Sequence, residues 1–277
     1  MLKSRLELFP LNQNDMALTV DTCVAQHIGD REEQQDRVTI MPHPTRRGLF
    51  LAVLADGMGG HTGGAMAAEQ VLHKAGTSFD AYAPASESAQ EILRDIINEA
   101  HVVIKLTRFT SEQDPHSTAC VLLFQPGRID WAHCGDSRIY HFRGDTLISK
   151  TTDHSYVNEL VRLGRITPEE AEHHPQKNVL IGCLGAEREP TIGFGEAVPL
   201  VDQDTFLLCS DGLWAYFSDT ELGGVLAAHA PRAAAEILIQ RARERAHGSG
   251  DNCSLAIIKV MEKKLAKPEK APPLSRA

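Results

Sequence analysis

The segment Gly48 to Glu69, GLFLAVLADGMGGHTGGAMAAE, limits what this chain can fold into more than any other. It opens as a nearly continuous apolar run, Leu49 to Ala55, with the length and composition of a strand buried on both faces. Asp56 ends the run. Gly57, Gly59, Gly60, Gly63 and Gly64 follow, and Ala65 to Ala68 read as the start of a helix. Such a strand delivers a carboxylate to the edge of a sheet, and the glycine-rich turn lets backbone approach whatever that carboxylate holds. Metal and phosphate sites are built this way.

The surrounding periodicity sets the fold class. Strands are expected over 17–25 and 38–41, then helices over about 63–79 and from the capping box Ser88-x-x-Glu91, with Ile92, Leu93, Ile96, Ile97, Ala100, Val103 and Ile104 on one face. Four short strands follow, at 117–124, 129–133, 138–142 and 146–149, joined by turns at Pro126-Gly127, Gly135-Asp136 and Gly144-Asp145. That spacing leaves no room for crossover helices, so the sheet is antiparallel. Residues 151–190 turn polar, with short helices at Tyr156–Leu163 and from the capping box Thr167-Pro168-Glu169-Glu170. Further strands are expected at 191–194, 206–209 and 254–260, and helices near the capping box Ser218-x-x-Glu221 and from Pro231 to about Ala246. The tail, 261–277, is rich in Lys, Pro and Ala and reads as disordered.

Charge narrows the partners. The net charge is −9, and the tail carries five Lys or Arg against two Glu, which leaves −12 on the body. A nucleic-acid binder needs a basic footprint, so that class is excluded, whereas an acidic body suits cation binding. Six cysteines form no C-x-x-C pair, and four sit in apolar, strand-like runs as small buried hydrophobes. A reducing cytoplasm fits them. The first fifteen residues lack the apolar core of a leader, and no run approaches the ~20 apolar residues of a membrane span, so neither secretion nor membrane insertion is expected.

The acidic residues say most when taken together. Asp56 follows LAVLA, Asp136 follows IDWAHCG, Asp211 follows TFLLCS, and Asp251 precedes CSLAIIKV. One Asp in a turn after a strand is ordinary. Four that converge repel one another unless cations sit between them. The candidate ligands are all oxygens, which selects Mg2+ or Mn2+ over zinc, and the histidines show no zinc spacing. Two hard ions about 3.5 to 4 Å apart would acidify a water and clamp a phosphoryl oxygen, so hydrolysis of a phosphate ester is the expected chemistry.

These residues occur in ordered motifs: R-E-E-Q-Q-D (31–36), A-D-G-M-G-G-H-x-x-G (55–64), S-T-A (117–119), C-G-D-S-R-I-Y (134–140), D-H-S-Y-V-N-E-L-V-R-L-G-R-I-T (153–167), N-V-L-I-G-C-L-G (178–185), S-D-G-L-W (210–214) and D-N-C-S (251–254). Their order and spacing resemble the bacterial metal-dependent serine/threonine protein phosphatases, the PP2C-type or PPM family, over residues 17 to 260. The resemblance implies an α+β fold, a four-layer α-β-β-α sandwich of two antiparallel sheets flanked by helices. It also implies one phosphatase domain over 1–260, in which 151–190 forms a flap beside the active site, and a cytoplasmic monomer acting on phosphorylated proteins that are substrates of a serine/threonine kinase.

Residue by residue, the resemblance makes Asp56 the bridging carboxylate of two core Mn2+ or Mg2+ ions, with the Gly57 carbonyl contributing to one. Asp211 and Asp251 match the other core ligands, Asp136 the ligand of a third, weaker ion, and Asp36 the aspartate that supports the cluster directly or through water. Arg31 matches the arginine that receives the substrate phosphate, and a guanidinium fork suits phosphate oxygens. Attack on phosphoserine or phosphothreonine by the water between the ions is then direct, with no covalent phosphoenzyme.

Two departures from the family pattern stand out. Gln34-Gln35-Asp36 replaces the usual Asn-Glu-Asp or Met-Glu-Asp, which removes a carboxylate near the second ion and weakens that site. Met58 stands where eukaryotic members carry a histidine proposed as general acid, and Met58 donates no proton. His61, three residues on, is read as a structural or supporting loop residue. A dinucleotide-binding unit fails because Thr62 occupies the third glycine position and a helix follows. Cysteine-based phosphatase chemistry fails because no cysteine is followed by arginine six positions later. The remaining rival is a non-catalytic member of the fold that binds phosphoproteins; it would be expected to lack one of Asp56, Asp211 and Asp251.

Overall fold

A strand apolar on both faces must be covered on both faces, and the architecture does this for Phe50–Met58 with a second sheet on one side and two helices on the other. The computed structural model describes residues 3–6, 17–107 and 113–263. Its strands are β1 (Lys3–Leu6), β2 (Ala17–His27), β3 (Asp36–Pro42), β4 (Phe50–Met58), β5 (His116–Ser117), β6 (Ala119–Gln125), β7 (Arg128–Cys134), β8 (Arg138–Arg143), β9 (Thr146–Lys150), β10 (Gly193–Ala197), β11 (Asp204–Cys209) and β12 (Cys253–Lys263). The helices are α1 (His61–Ala81), α2 (Ala89–Thr107), α3 (Tyr156–Arg162), α4 (Pro168–Glu172), α5 (Asp211–Trp214), α6 (Asp219–Ala228) and α7 (Pro231–Ala246).

One sheet runs β1-β2-β12-β11-β8-β9 and the other β10-β7-β6-β4-β3, with β5 added to the end of β4. All the ladders are antiparallel. Alternation along β4 sorts the core. Phe50, Ala52 and Leu54 face the other sheet, where they meet Phe206, Leu208 and Ile258. Leu51, Val53 and Ala55 face α1 and α2, packing on Val71, Phe79, Ile96 and Ile97. On the far side of the β2-β12 sheet, Leu207, Leu255 and Ile257 pack against Leu222, Leu226 and Leu238 of α6 and α7. Four layers therefore enclose three apolar interfaces, the expected α+β sandwich.

Local chemistry sets the helix ends. At Ser88 both capping-box bonds form, Glu91 N–H to Ser88 Oγ at 3.2 Å and Ser88 N–H to Glu91 Oε2 at 2.8 Å. Thr167 and Glu170 do the same ahead of α4. The Ser218 box is only half made. Ser218 Oγ accepts from Glu221 N–H, but the Glu221 carboxylate is taken by Arg241 and Arg245 of α7.

Other differences from the sequence reading are local. The stretch 117–124 divides into β5, which extends β4, and β6. Strand β1, absent from the expectations, pairs along Val20–Cys23. The last strand runs to Lys263, three residues into the segment assigned to the tail, because its ladder with β2 continues to Ala17. The rest of that tail, 264–277, lies outside the described residues. All six cysteines are unpaired; five are buried and Cys183 is half-buried. No helix among the described residues is long and apolar enough to cross a membrane.

Candidate active site

Five aspartates arrive at one end of the sandwich from five places in the chain. Asp36 is the first residue of β3 and stands directly opposite Asp56 in the β3–β4 ladder. Directly opposed residues share a face of the sheet, and this face continues Leu54 and Val38, so both carboxylates open at the end of the cleft between the sheets. Asp136 follows Gly135 in the turn from β7 to β8, Asp211 opens α5 after β11, and Asp251 precedes β12.

Their mutual charge is the main electrostatic fact. Burial raises the Asp56 carboxyl well above the usual carboxylate range, and Asp36, Asp211, Asp136 and Asp251 raise it further. Burial lifts Asp36 to about 7, with Asp211 and Asp251 adding to it, while hydrogen bonds from Ser210 and Ser254 pull the other way. Asp136 reaches about 7 through burial and the charges of Asp211 and Asp153. Asp211 reaches about 6 through burial and Asp251, partly offset by Arg31 and Arg138. At Asp36 and Asp56 every neighbouring charge that acts on the carboxyl is another acid.

The donor set fits a hard divalent cation in kind. Every candidate is an oxygen, the charges are in excess, and Asp36 Oδ1 is buried with no hydrogen-bond partner. Among the described residues, however, no group of three or more His, Cys, Asp or Glu side chains is gathered as a finished ion site. Protein donors hold two of the acids. Ser210 Oγ donates to Asp36 Oδ2 at 2.8 Å. Asp251 accepts from Arg31 Nη2 at 2.6 Å on one oxygen and from Asn252 N–H at 2.8 Å on the other.

Backbone placement at the turn is tight. A Cβ on Gly57 would run into the Gly64 carbonyl, and one on Gly64 would lie 2.7 Å from the Gly57 oxygen and 2.8 Å from Gln35 Oε1. Gln35 therefore reaches toward the start of α1, while Gln34 Oε1 accepts from Asp36 N–H at 2.9 Å. Arg31 projects from the β2–β3 loop with its side chain 61% exposed, paired with Asp251. His61 opens α1, and its side chain lies outside the described residues.

Residues 24–247 match the family described as protein phosphatase 2C. The chain belongs to the protein phosphatase 2C family. It is 33% identical over 235 residues to protein phosphatase PhpP of Streptococcus pneumoniae, which covers 84% of this chain and 94% of that protein. Among solved structures, the serine/threonine phosphatase of S. agalactiae superposes with a TM-score of 0.75 at 30% identity, covering 87% of this chain and 99% of the other. The catalytic domain of the phosphatase PstP, solved with two manganese ions, superposes with a TM-score of 0.71 at 29% identity, covering 88% and 100%. Membership makes the chain a protein phosphatase.

Three members of the site have no role in the sequence reading. Ser210 holds Asp36 and also accepts from Ser254 N–H at 3.1 Å. Asn252 ties the Arg31 loop to the Asp251 loop: its Nδ2 donates to the Ile28 and Glu33 carbonyls and its Oδ1 accepts from Gln35 N–H. Arg138 stacks 3.5 Å over Trp214 and pairs with both oxygens of Asp153 at 2.8 Å, while Trp214 Nε1–H donates to the Asp136 carbonyl at 3.0 Å. All three lie inside the D-N-C-S, S-D-G-L-W and C-G-D-S-R motifs of this phosphatase family. Their positions were legible, and their contacts were not.

Proposed function

We propose that the protein is a metal-dependent serine/threonine phosphatase that hydrolyses phosphoproteins by direct attack of water on phosphorus, without a covalent phosphoenzyme. The observation that carries this reading is that Asp56 shares its field with Asp36, Asp136, Asp211 and Asp251, an excess of negative charge that a bound cation would balance. Asp36, Asp56, Asp211 and Asp251, with the Gly57 carbonyl, would hold two Mn2+ or Mg2+ ions, and Asp136 would serve a third. Bound there, such ions acidify water and offset phosphate charge.

The chain supplies the rest. Arg31 receives the phosphate oxygens, and its present partner, Asp251, keeps the guanidinium at the rim of the site. Asp56 and Asp211 orient the attacking water. Residues 151–190, tied to the turn before Asp136 where His154 N–H donates to the Gly135 carbonyl at 2.9 Å, carry the short helices α3 and α4 and act as the flap that admits phosphoserine or phosphothreonine segments. The substrates are products of a serine/threonine kinase, and the presence of Asp56, Asp211 and Asp251 argues against a non-catalytic member.

Hydrolysis of a phosphothreonine peptide, measured with Mn2+ and with EDTA for wild type and Asp211→Asn, tests the reading. Turnover only with Mn2+, and its loss in the variant, is expected. Metal-independent turnover, or a variant as active as wild type, sinks the mechanism.

A further inference from the structure

The Arg31 side chain is exposed, and its ion pair with Asp251 is of the kind that holds a side chain only loosely. Whatever precision it brings to a phosphate therefore comes from the loop that carries it, residues 28–35 between β2 and β3. That loop is clamped against the one before β12. Gly29, at φ +68°, lies so close that a Cβ there would run into the Asp251 carbonyl. Asp30 N–H donates to the Gly250 carbonyl at 2.9 Å, and Gly250 N–H donates back to Asp30 Oδ2 at 2.7 Å.

Asn252, which is buried, closes the clamp at both ends. Its Nδ2 donates to the Ile28 carbonyl at 2.8 Å and to the Glu33 carbonyl at 3.0 Å, one on each side of Arg31. Its Oδ1 accepts from Gln35 N–H at 2.6 Å, one residue before Asp36. Both amide hydrogens and the amide oxygen are engaged, a pattern that neither a carboxylate nor a hydroxyl supplies. The backbone of the same residue sits among the candidate metal ligands. Asn252 N–H donates to Asp251 Oδ1 at 2.8 Å, and a Cβ on Gly212, the residue after Asp211, would run into the Asn252 carbonyl. One buried amide thus ties the arginine loop to Asp36, Asp211 and Asp251.

We infer that Asn252 is the positioning residue that holds Arg31 in register with the metal-binding aspartates, so that one phosphate meets both. The inference rests on the phosphatase reading above and assigns the part of it that places the substrate phosphate. Asn252 itself touches neither phosphate nor ion and acts through the loop. Its influence is large because a displacement of about 1 Å in a group that positions substrate costs up to about 100-fold.

A double-mutant cycle between Asn252 and Arg31 tests it, read with Mn2+ as KM for a phosphothreonine peptide, as the inhibition constant of inorganic phosphate and as melting temperature. Asn252→Ala is expected to raise KM and the phosphate inhibition constant about 10-fold, as Arg31→Ala does, because an arginine out of register is an arginine lost. Adding Arg31→Ala to Asn252→Ala should then change both by less than about 2-fold, while the shifts in melting temperature simply add. Asn252→Asp keeps the shape and the acceptor for Gln35 but loses both donors, so it carries the same comparison if the alanine variant does not fold. A double variant about 100-fold worse than wild type shows independent effects and overturns the inference. So does an unchanged KM in Asn252→Ala or in Arg31→Ala. Failure of both Asn252 variants to fold overturns it too, since Asn252 then belongs to the fold rather than to the site. A wild-type protein with no turnover of the peptide overturns the phosphatase reading itself.

Discussion

Asp36 and Asp56 face each other as direct partners across the β3–β4 ladder, and the buried Asp36 Oδ1 has no hydrogen-bond partner among the described residues. Like charges placed opposite one another destabilise a ladder. This pair therefore marks where the fold gives up stability in return for a binding site.

That cost has a pH signature. Asp36 and Asp136 are raised from 3.8 to about 7 and Asp211 to about 6, in each case chiefly by burial. An acid whose folded value exceeds its unfolded value keeps its proton longer in the folded chain, so its contribution to stability falls as pH rises from about 4 to about 7. In EDTA the melting temperature is expected to drop between about pH 5 and about pH 8. Mn2+ should raise it, and more at the higher pH, because ligands bind deprotonated. Differential scanning fluorimetry reads both; a larger Mn2+ effect at the lower pH contradicts the prediction.

Arg31 makes an exposed ion pair, with side-chain exposures of 61% and 39% for Arg31 and Asp251. Such pairs contribute about 0–1 kcal/mol. Arg31→Ala should therefore leave the melting temperature nearly unchanged while raising KM for a phosphopeptide about 10-fold, and Arg31→Lys should rescue poorly because it lacks the planar fork. Steady-state kinetics beside a thermal melt decide; an unchanged KM removes Arg31 from phosphate binding.

Arg138 and Asp153 form the opposite kind of pair. Their side chains are 20% and 9% exposed, the bonding is bidentate, and Arg138 also stacks on Trp214. Removing one partner of a buried pair leaves an uncompensated charge, so Asp153→Ala should cost about 3 kcal/mol in urea denaturation. Hydrogen exchange should rise in 151–190, because Asp153 starts that segment.

How much of this was legible in the sequence depends on how local the cause is. The apolar run before Asp56 announced β4 because a continuous run of that length is itself the mark of a strand covered on both faces, and the capping boxes at Ser88 and Thr167 announced α2 and α4 because their contacts lie within three residues. Where the partner is distant, the same pattern misled. Glu221 sits at the right spacing to cap back onto Ser218, yet Arg241 and Arg245, 20 and 24 residues away, claim its carboxylate. Strand β1, KSRL, shows no alternation of its own and is ordered by its pairing with β2.

The candidate site divides in the same way. Its aspartates could be named from strand ends and motifs. The pairing of Arg31 with Asp251 and the grip of Ser210 on Asp36 depend on register and loop packing. No spacing in the sequence encodes those.

Gly57 offers a packing test of the same turn. Its missing Cβ lets the end of β4 pass the Gly64 carbonyl. Gly57→Ala is expected to push α1 away from β4, to cost about 1–3 kcal/mol and to lower Mn2+-dependent turnover. A variant with wild-type stability and rate would show that the turn has slack.

The central claim is that the carboxylates around Asp56 hold divalent ions. Isothermal titration of the metal-stripped protein with Mn2+ tests it most directly, with Asp56→Asn titrated in parallel. Saturable binding of about two ions by wild type is expected, and its loss in a variant that keeps a folded circular dichroism spectrum. Equal Mn2+ binding by the variant, or none by wild type, would contradict the account.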